Sequence, residues 1–214
     1  MLYLVTDARA CAPRSVIEVV AEAVAGGVSV VQLREKGLPD RELLRISEDL
    51  REITSRAGIP LIMNDRADLA LLAQADGVHL GQDDLPLPLA RRILGSGAII
   101  GISTHDPEEA RAAEREGALY AGIGAFAATS TKADARSPGG VELVKRVRAA
   151  VGLPLVAIGG INAANAAAAV LAGADAVAVA SAVMGAADPQ AAAAEILGIV
   201  REARRERERR GTGK

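Results

Sequence analysis

The feature that most constrains the fold is a βαβ unit written into residues 60–84, PLIMNDRADLALLAQADGVHLGQDD. Two short, mainly apolar runs, residues 60–63 and 76–80, each break abruptly into polar residues: Asn64 and Asp65 after the first, Gln82, Asp83 and Asp84 after the second. Between them, residues 66–74 carry Leu69, Leu72 and alanines at helical spacing. The segment therefore reads strand, acidic tip, short helix, strand, acidic tip. A right-handed crossover makes the two strands parallel, which brings Asp65 and Asp84 to the same, C-terminal, edge of the sheet. Two carboxylates beside amide side chains form a hard-oxygen site suited to magnesium, which takes one or two carboxylates and completes its shell with water and substrate phosphate. The plainer alternative has Asp65 capping the next helix and Asp84 in a solvated turn.

The same grammar runs along the whole chain. Further strands are expected at residues 2–6, 28–33, 98–102, 119–124, 155–158 and 176–180. Helices are expected at 15–25, 41–57, 86–94, 107–116, 140–151, 163–172 and from 189 to about 209. Eight strands alternating with eight helices predict an α/β fold, a single-domain (β/α)8 TIM barrel over residues 1–210, with 211–214 as a disordered tail. No G-x-G-x-x-G follows the first strand, so an open dinucleotide-binding sheet lacks support. Half the residues are hydrophobic, yet Tyr3, Tyr120 and Phe126 are the only aromatics. Val, Ile, Leu and Ala are therefore expected to fill the interior, as suits parallel strands buried under helices.

The same composition narrows the partners. A net charge of −2 gives no reason to expect nucleic acid or an anionic membrane. Cys11 is the only cysteine, which excludes an intrachain disulfide and fits a reducing compartment. No apolar run approaches the ~20 residues of a membrane span, and residues 1–7 are expected to open directly as a strand, without the basic n-region and long apolar core of a signal peptide. A cytoplasmic protein acting on small molecules is expected, and its alanine-rich outer helices allow a homo-oligomer.

In a barrel of this kind the site is built from the loops at the C-terminal ends of the strands. Gln32, Arg34 and Lys36 alternate at the end of strand two, so all three can face one way. Asn64 and Asp65 follow strand three, Gln82 and Asp84 strand four, and Ser103 strand five; Thr129, Thr131 and Lys132 lie in the loop after strand six. Cations and acids from several loops thus point at one volume. The pattern fits a polyanionic ligand bridged to carboxylates by Mg2+, with Arg34, Lys36 and Lys132 neutralising the rest of its charge. A second anion site is expected after strands seven and eight, where Gly159-Gly160 and Ala180-Ser181 offer backbone amides and a hydroxyl. His79 reads as a packed core histidine and His105 as part of a helix-start turn. Thr6 and Asp7 can face the mouth, although Asp7 equally suits a helix cap. Neither histidine has a Cys or His at ligand spacing, which disfavours a transition metal.

YLVTD (3–7), VQLREK (31–36), NDRADLA (64–70), DGVHLGQDDLP (76–86), IGISTH (100–105), TSTK (129–132), AIGGI (157–161) and VAVASA (177–182) stand in the order and spacing of thiamine-phosphate synthases. The chain resembles that family up to its last helix. The resemblance implies a magnesium-dependent transferase that joins a hydroxymethylpyrimidine diphosphate to a thiazole phosphate and releases pyrophosphate. It implies that Gln32, Arg34, Lys36, Asn64, Ser103 and Lys132 bind the pyrimidine diphosphate, with Arg34, Lys36, Ser103 and Lys132 acting in catalysis. By the same resemblance Asp65 and Asp84 bind magnesium, and Thr129, Thr131, Gly160, Ala180 and Ser181 hold the thiazole phosphate.

One segment departs from the family. Where synthases usually carry G-P-[VI]-F-P-T, this chain has Gly124-Ala125-Phe126-Ala127-Ala128-Thr129. Losing two prolines is expected to loosen the loop. The rival readings are the related thiazole tautomerase, which places a catalytic histidine where this chain has Ala125, and a non-catalytic phosphate-binding barrel.

Overall fold

Short strands of aliphatic and β-branched residues pair side by side in sequence order and close on themselves. They are β1 (Leu2–Val5), β2 (Val30–Leu33), β3 (Leu61–Asn64), β4 (Gly77–Leu80), β5 (Ile99–Thr104), β6 (Tyr120–Ile123), β7 (Leu155–Ala157) and β8 (Ala176–Val179). All pairings are parallel, and β8 returns to β1 through Tyr3 opposite Ala178. This computed structural model describes residues 1–128 and 137–211. Among the described residues the helices are α1 (Ala8–Cys11), α2 (Val16–Ala25), α3 (Asp40–Ala57), α4 (Ala67–Leu72), α5 (Leu87–Leu94), α6 (Pro107–Arg115), α7 (Gly140–Arg148), α8 (Ala166–Leu171), α9 (Ser181–Met184) and α10 (Pro189–Gly211). None is long and apolar enough to cross a membrane.

The expected (β/α)8 barrel is present, with two additions and some moved boundaries. Helices α1 and α9, four residues each, are too short to leave a periodic signal. Asp7 accepts from the amides of Arg9 and Ala10, so it caps α1. Helix α8 starts at Ala166, later than expected, because Asn162 and Asn165 use their side chains to accept amides of Ala164 and Asn162 in a turn. Local signals held elsewhere: Ser15 and Glu18 form a reciprocal capping box on α2, and Asp106 caps α6 ahead of Pro107 in its first turn.

Strand alternation divides the core into two layers. Leu4, Val31, Leu33, Leu61, Met63, Val78, Leu80, Ile100 and Leu155 face outward and are covered by the helices. Inside the barrel lies a smaller cluster, Tyr3, Val5, Ile62, Tyr120, Val156, Ala176 and Ala178. The expectation of a purely aliphatic interior is therefore corrected: two of the three aromatics stand at its centre. Space for them comes from Gly101, where an added Cβ would lie 2.0 Å from the Tyr120 ring.

The N-terminal rim is fastened by acids that precede strands. Asp76 accepts the amide of Leu61 at 2.8 Å and pairs with Arg51 of α3. Asp175 does the same near β8, accepting the amide of Leu155 and Arg148 of α7, both at 3.0 Å, and reaching Arg207 of α10 at 3.2 Å. Each acid links the strand edge to the surrounding helices at the end of the barrel away from the site, leaving the opposite rim to chemistry.

Candidate active site

A cavity of about 460 Å3 opens at the C-terminal ends of the strands. It is built from inward-facing residues at the ends of the strands and from the first few residues of the loops that follow them. From β2 come Gln32, Arg34 and Lys36, which all line the cavity. Their common direction is set by buried neighbours: Thr6 Oγ1 accepts the Arg34 amide at 2.9 Å, while Glu35 turns away and accepts the Ala8 amide at 3.0 and 3.1 Å. Burial holds the Glu35 carboxyl above the usual glutamate range, against the opposing hydrogen bonds from Ala8 and Thr6. Thr6 is wholly buried, so it supports the mouth and does not face it.

Asn64 ends β3 and Asp65 follows it, and Gly81 to Asp84 follow β4; all line the same cavity. Asp65 adopts a left-handed backbone with φ of 61° and donates its amide to the His79 carbonyl at 2.8 Å. Aspartate tolerates that conformation better than most residues. The cap of α4 is Arg66, without a side-chain cap hydrogen bond, so Asp65 is not spent as a helix cap. Asp84 Oδ2 accepts the Gly81 amide at 2.6 Å, closing the turn that aims its carboxylate at Asp65. Burial first, then the hydrogen bond and charge of Asp84, raise the Asp65 carboxyl to about 6. Lys36 Nζ, 3.7 Å from Asp65, opposes that rise only in part. The two acids thus stand close enough that ionisation of Asp65 is disfavoured even with Lys36 and Arg34 nearby. That is a demand for a cation, and two carboxylates with neighbouring amides are a donor set that fits magnesium.

Ser103 extends the inward register of β5, and Gln82 Nε2 donates to its carbonyl at 2.6 Å. His79 lines the cavity from β4; its Nε2 lies 2.9 Å from Ser103 Oγ and its Nδ1 2.9 Å from the Tyr120 hydroxyl. The core-histidine reading therefore captured its packing but missed its bond to a site residue. His105 uses its amide and Nδ1 on Glu109 Oε2, at 2.7 and 2.9 Å, as expected of a helix-start turn.

Across the cavity lie the ends of β7 and β8. Gly159, Gly160, Ala180 and Ser181 all line it, and Ala180 is the N-cap of α9. Gly160 has φ of 64°, and a Cβ there would come within 2.5 Å of the Ala128 carbonyl. Only glycine lets the loop after β6 lie so close. That loop is pinned by Phe126 and Ala127 amides donating to Ile158 and Gly159 carbonyls at 2.8 and 2.9 Å, and Phe126 is buried in the outer core. As far as Ala128, then, backbone pairing and one aromatic do the anchoring that prolines were expected to do. Thr129, Thr131 and Lys132 lie outside the described residues. Tyr3, Tyr120 and Glu35 are the participants that sequence reasoning missed, and Thr6, expected at the mouth, lies beneath it. The signal for the tyrosines was strand alternation itself, which puts Tyr3 with Val5 and Tyr120 with Gly122 on the inward face.

A family model described as thiamine monophosphate synthase matches residues 2–183. The chain belongs to the thiamine monophosphate synthase family. It is 50% identical over 171 residues to a thiamine-phosphate synthase of Moorella thermoacetica, covering 80% of this chain and 81% of that protein. A thiamine-phosphate synthase of Chloroflexus aurantiacus is 50% identical over 166 residues, with 78% and 76% coverage. The solved thiamine phosphate pyrophosphorylase from Pyrococcus furiosus superposes with a TM-score of 0.85 at 40% identity, covering 94% of this chain and 96% of that one. Membership of the thiamine monophosphate synthase family thus extends over the strands that carry every described residue of the cavity.

Proposed function

We propose that this cavity condenses 4-amino-2-methyl-5-(diphosphooxymethyl)pyrimidine with thiazole phosphate, giving thiamine phosphate and pyrophosphate. The observation that carries the reading is one cavity with two unlike anion sites: a cation-demanding acid pair beside Arg34 and Lys36, and a glycine and amide cradle at Gly160, Ala180 and Ser181. The family relatives, named as thiamine-phosphate synthases, supply the reaction that uses both.

Gln32 and Asn64 hold the pyrimidine at the mouth of the barrel. Arg34 and Lys36, joined by Lys132, neutralise the diphosphate, and Ser103 offers it a hydroxyl. Asp65 and Asp84 hold magnesium, which when bound supplies further neutralisation of the leaving group. With the charge of the leaving pyrophosphate balanced, its C–O bond breaks as the pyrimidine's amino group releases electron density toward the exocyclic carbon. The thiazole nitrogen, held by its phosphate at Gly160, Ala180 and Ser181 together with Thr129 and Thr131, then forms the new C–N bond. No protein nucleophile is required. Positioning of two substrates and fixed charges aimed at the leaving group provide the acceleration.

The test is a paired assay of pyrophosphate and thiamine phosphate with both substrates, in magnesium and in chelator. Equal, magnesium-dependent formation of both products is expected. Folded protein that forms neither product from active substrates overturns the reading.

A further inference from the structure

Inside the barrel, below the cavity, runs a continuous chain of polar side chains. Gln32 Nε2 donates to the Tyr3 hydroxyl at 2.8 Å; that hydroxyl lies 2.8 Å from the Tyr120 hydroxyl, which lies 2.9 Å from His79 Nδ1. His79 Nε2 completes the chain at Ser103 Oγ, 2.9 Å away. Both ends, Gln32 and Ser103, line the cavity, while Tyr3 and Tyr120 are buried beneath it. The rings are locked in place: His79 stacks on Tyr120 with centroids 5.4 Å apart, and Tyr3 tilts against Tyr120 at 5.8 Å. Among the described residues no buried side-chain nitrogen or oxygen lacks a partner.

The orientation of the Gln32 amide, nitrogen toward Tyr3, gives the chain its direction; an oxygen there would reverse every bond in it. Tyr3 accepts from Gln32, so the Tyr3–Tyr120 and Tyr120–His79 contacts must be filled by two hydroxyl hydrogens. Both are satisfied only if Tyr3 donates to Tyr120 and Tyr120 donates to Nδ1. A hydrogen on Nδ1 would put three hydrogens into two contacts and strand one buried hydroxyl, which protein interiors avoid. Burial pushes the Tyr3 hydroxyl up to about 12 and Tyr120 also well above its ordinary value, so both keep their hydrogens. With Nδ1 bare, Nε2 carries the hydrogen and donates to Ser103 Oγ.

We propose that this chain is a one-way hydrogen-bond relay that fixes His79 as its Nε2–H tautomer and thereby sets the polarity of the cavity, with Tyr3, Tyr120 and His79 as positioning residues. Ser103 already accepts from His79, so its own hydrogen is committed to an acceptor atom of the ligand. Gln32 spends an amide hydrogen inward, which leaves its carbonyl oxygen to accept from the ligand. One acceptor and one donor at fixed places match an aminopyrimidine diphosphate, which has an amino group to donate and ring and phosphate atoms to accept. The ligand side of the proposal rests on the reaction given above; the relay itself does not.

The test reads the two apart. His79 and His105 are the only histidines, so 15N imidazole NMR of the full chain, with His105→Gln removing the second signal, reports the His79 tautomer without substrate. A bare Nδ1 and protonated Nε2 are expected. Tyr120→Phe should mix the tautomers and lower kcat/KM for the pyrimidine diphosphate by about tenfold, the worth of one buried hydrogen bond, with KM for thiazole phosphate unchanged. Tyr3→Phe should keep the tautomer, since Tyr120 still donates to Nδ1, but raise KM for the pyrimidine diphosphate by freeing the Gln32 amide. A protonated Nδ1 in the unaltered chain overturns the relay, as does a Tyr120→Phe protein with the original ring pattern. Altered tautomers with unchanged kinetics overturn the positioning role. Should Tyr120→Phe fail to fold, the unaltered chain and Tyr3→Phe decide. Absence of turnover in the unaltered chain overturns the reaction and leaves the relay to the NMR result.

Discussion

Asp175→Ala isolates the rim device that ties the last strands to the outer helices. The substitution removes the acceptor of the Leu155 amide, and Leu155 is fully buried, so that N–H is stranded at a cost of about 1–3 kcal/mol. It also removes pairs to Arg148 and Arg207 whose side chains are 28% and 29% exposed, against 37% for Asp175. Screening at such exposure limits each pair to about 0–1 kcal/mol. Neither guanidinium is left stranded: Arg148 still donates to the Leu153 carbonyl and Arg207 to those of Val170 and Ala174. The sum is about 1–5 kcal/mol, which for a domain of this size lowers Tm by about 2–20 °C. Asp175→Asn keeps an oxygen for the Leu155 amide and should lose only about 1 kcal/mol. Thermal unfolding followed by circular dichroism, checked for reversibility, reads both variants. If asparagine is as damaging as alanine, charge rather than the strand-edge amide is what Asp175 serves, and the reasoning fails. Asp76→Ala should behave in parallel, because it strands the amide of Leu61 in the same way.

Asp65→Asn or Asp84→Asn should abolish magnesium-dependent turnover while leaving Tm close to that of the unaltered chain; retained turnover in either would remove the metal assignment, and isothermal titration with magnesium and pyrophosphate checks it directly. Gly160→Ala puts a methyl group 2.5 Å from the Ala128 carbonyl at φ of 64°. It should raise KM for thiazole phosphate at least about tenfold by displacing the loop after β6, with KM for the pyrimidine diphosphate much less affected; equal effects on both would contradict the two-site division. Glu35 carries a raised carboxyl, caused first by burial. A group raised in the folded state contributes stability at low pH that is lost as pH rises through its folded value. Glu35→Gln, which still accepts the Ala8 amide, should therefore match or exceed the original Tm at about pH 8 and lose that advantage at about pH 4; the opposite trend in paired melts would show that the ionised carboxylate is stabilising.

Most of the fold was legible because its determinants are local. Alternating short apolar runs and amphipathic stretches set eight strands and eight helices, and the capping residues Ser15 and Asp106 act within a few residues of where they stand. The polar tips were legible for the same reason: a parallel barrel places every strand end on one rim, so Gln32, Arg34, Asn64, Asp65, Asp84 and Ser103 had to converge once the strands were counted. Helices α1 and α9 escaped because one turn has no period to read.

What the tertiary structure alone decided is which inward residues touch. Tyr3 and Tyr120 are 117 residues apart, and nothing near either one announces the other. Their contact depends on barrel closure, on the β5–β6 register that puts Gly101 opposite Tyr120, and on the missing side chain at Gly101. The same holds for the approach of Asp65 to Asp84, where a left-handed backbone at Asp65 and a turn closed by the Gly81 amide set how near two like charges are held. By itself the sequence determined the barrel, its functional rim and the residue types gathered there, because periodicity and strand ends are local properties. Hydrogen-bond direction and carboxylate spacing are properties of distant residues brought together, and only the closed barrel fixes them.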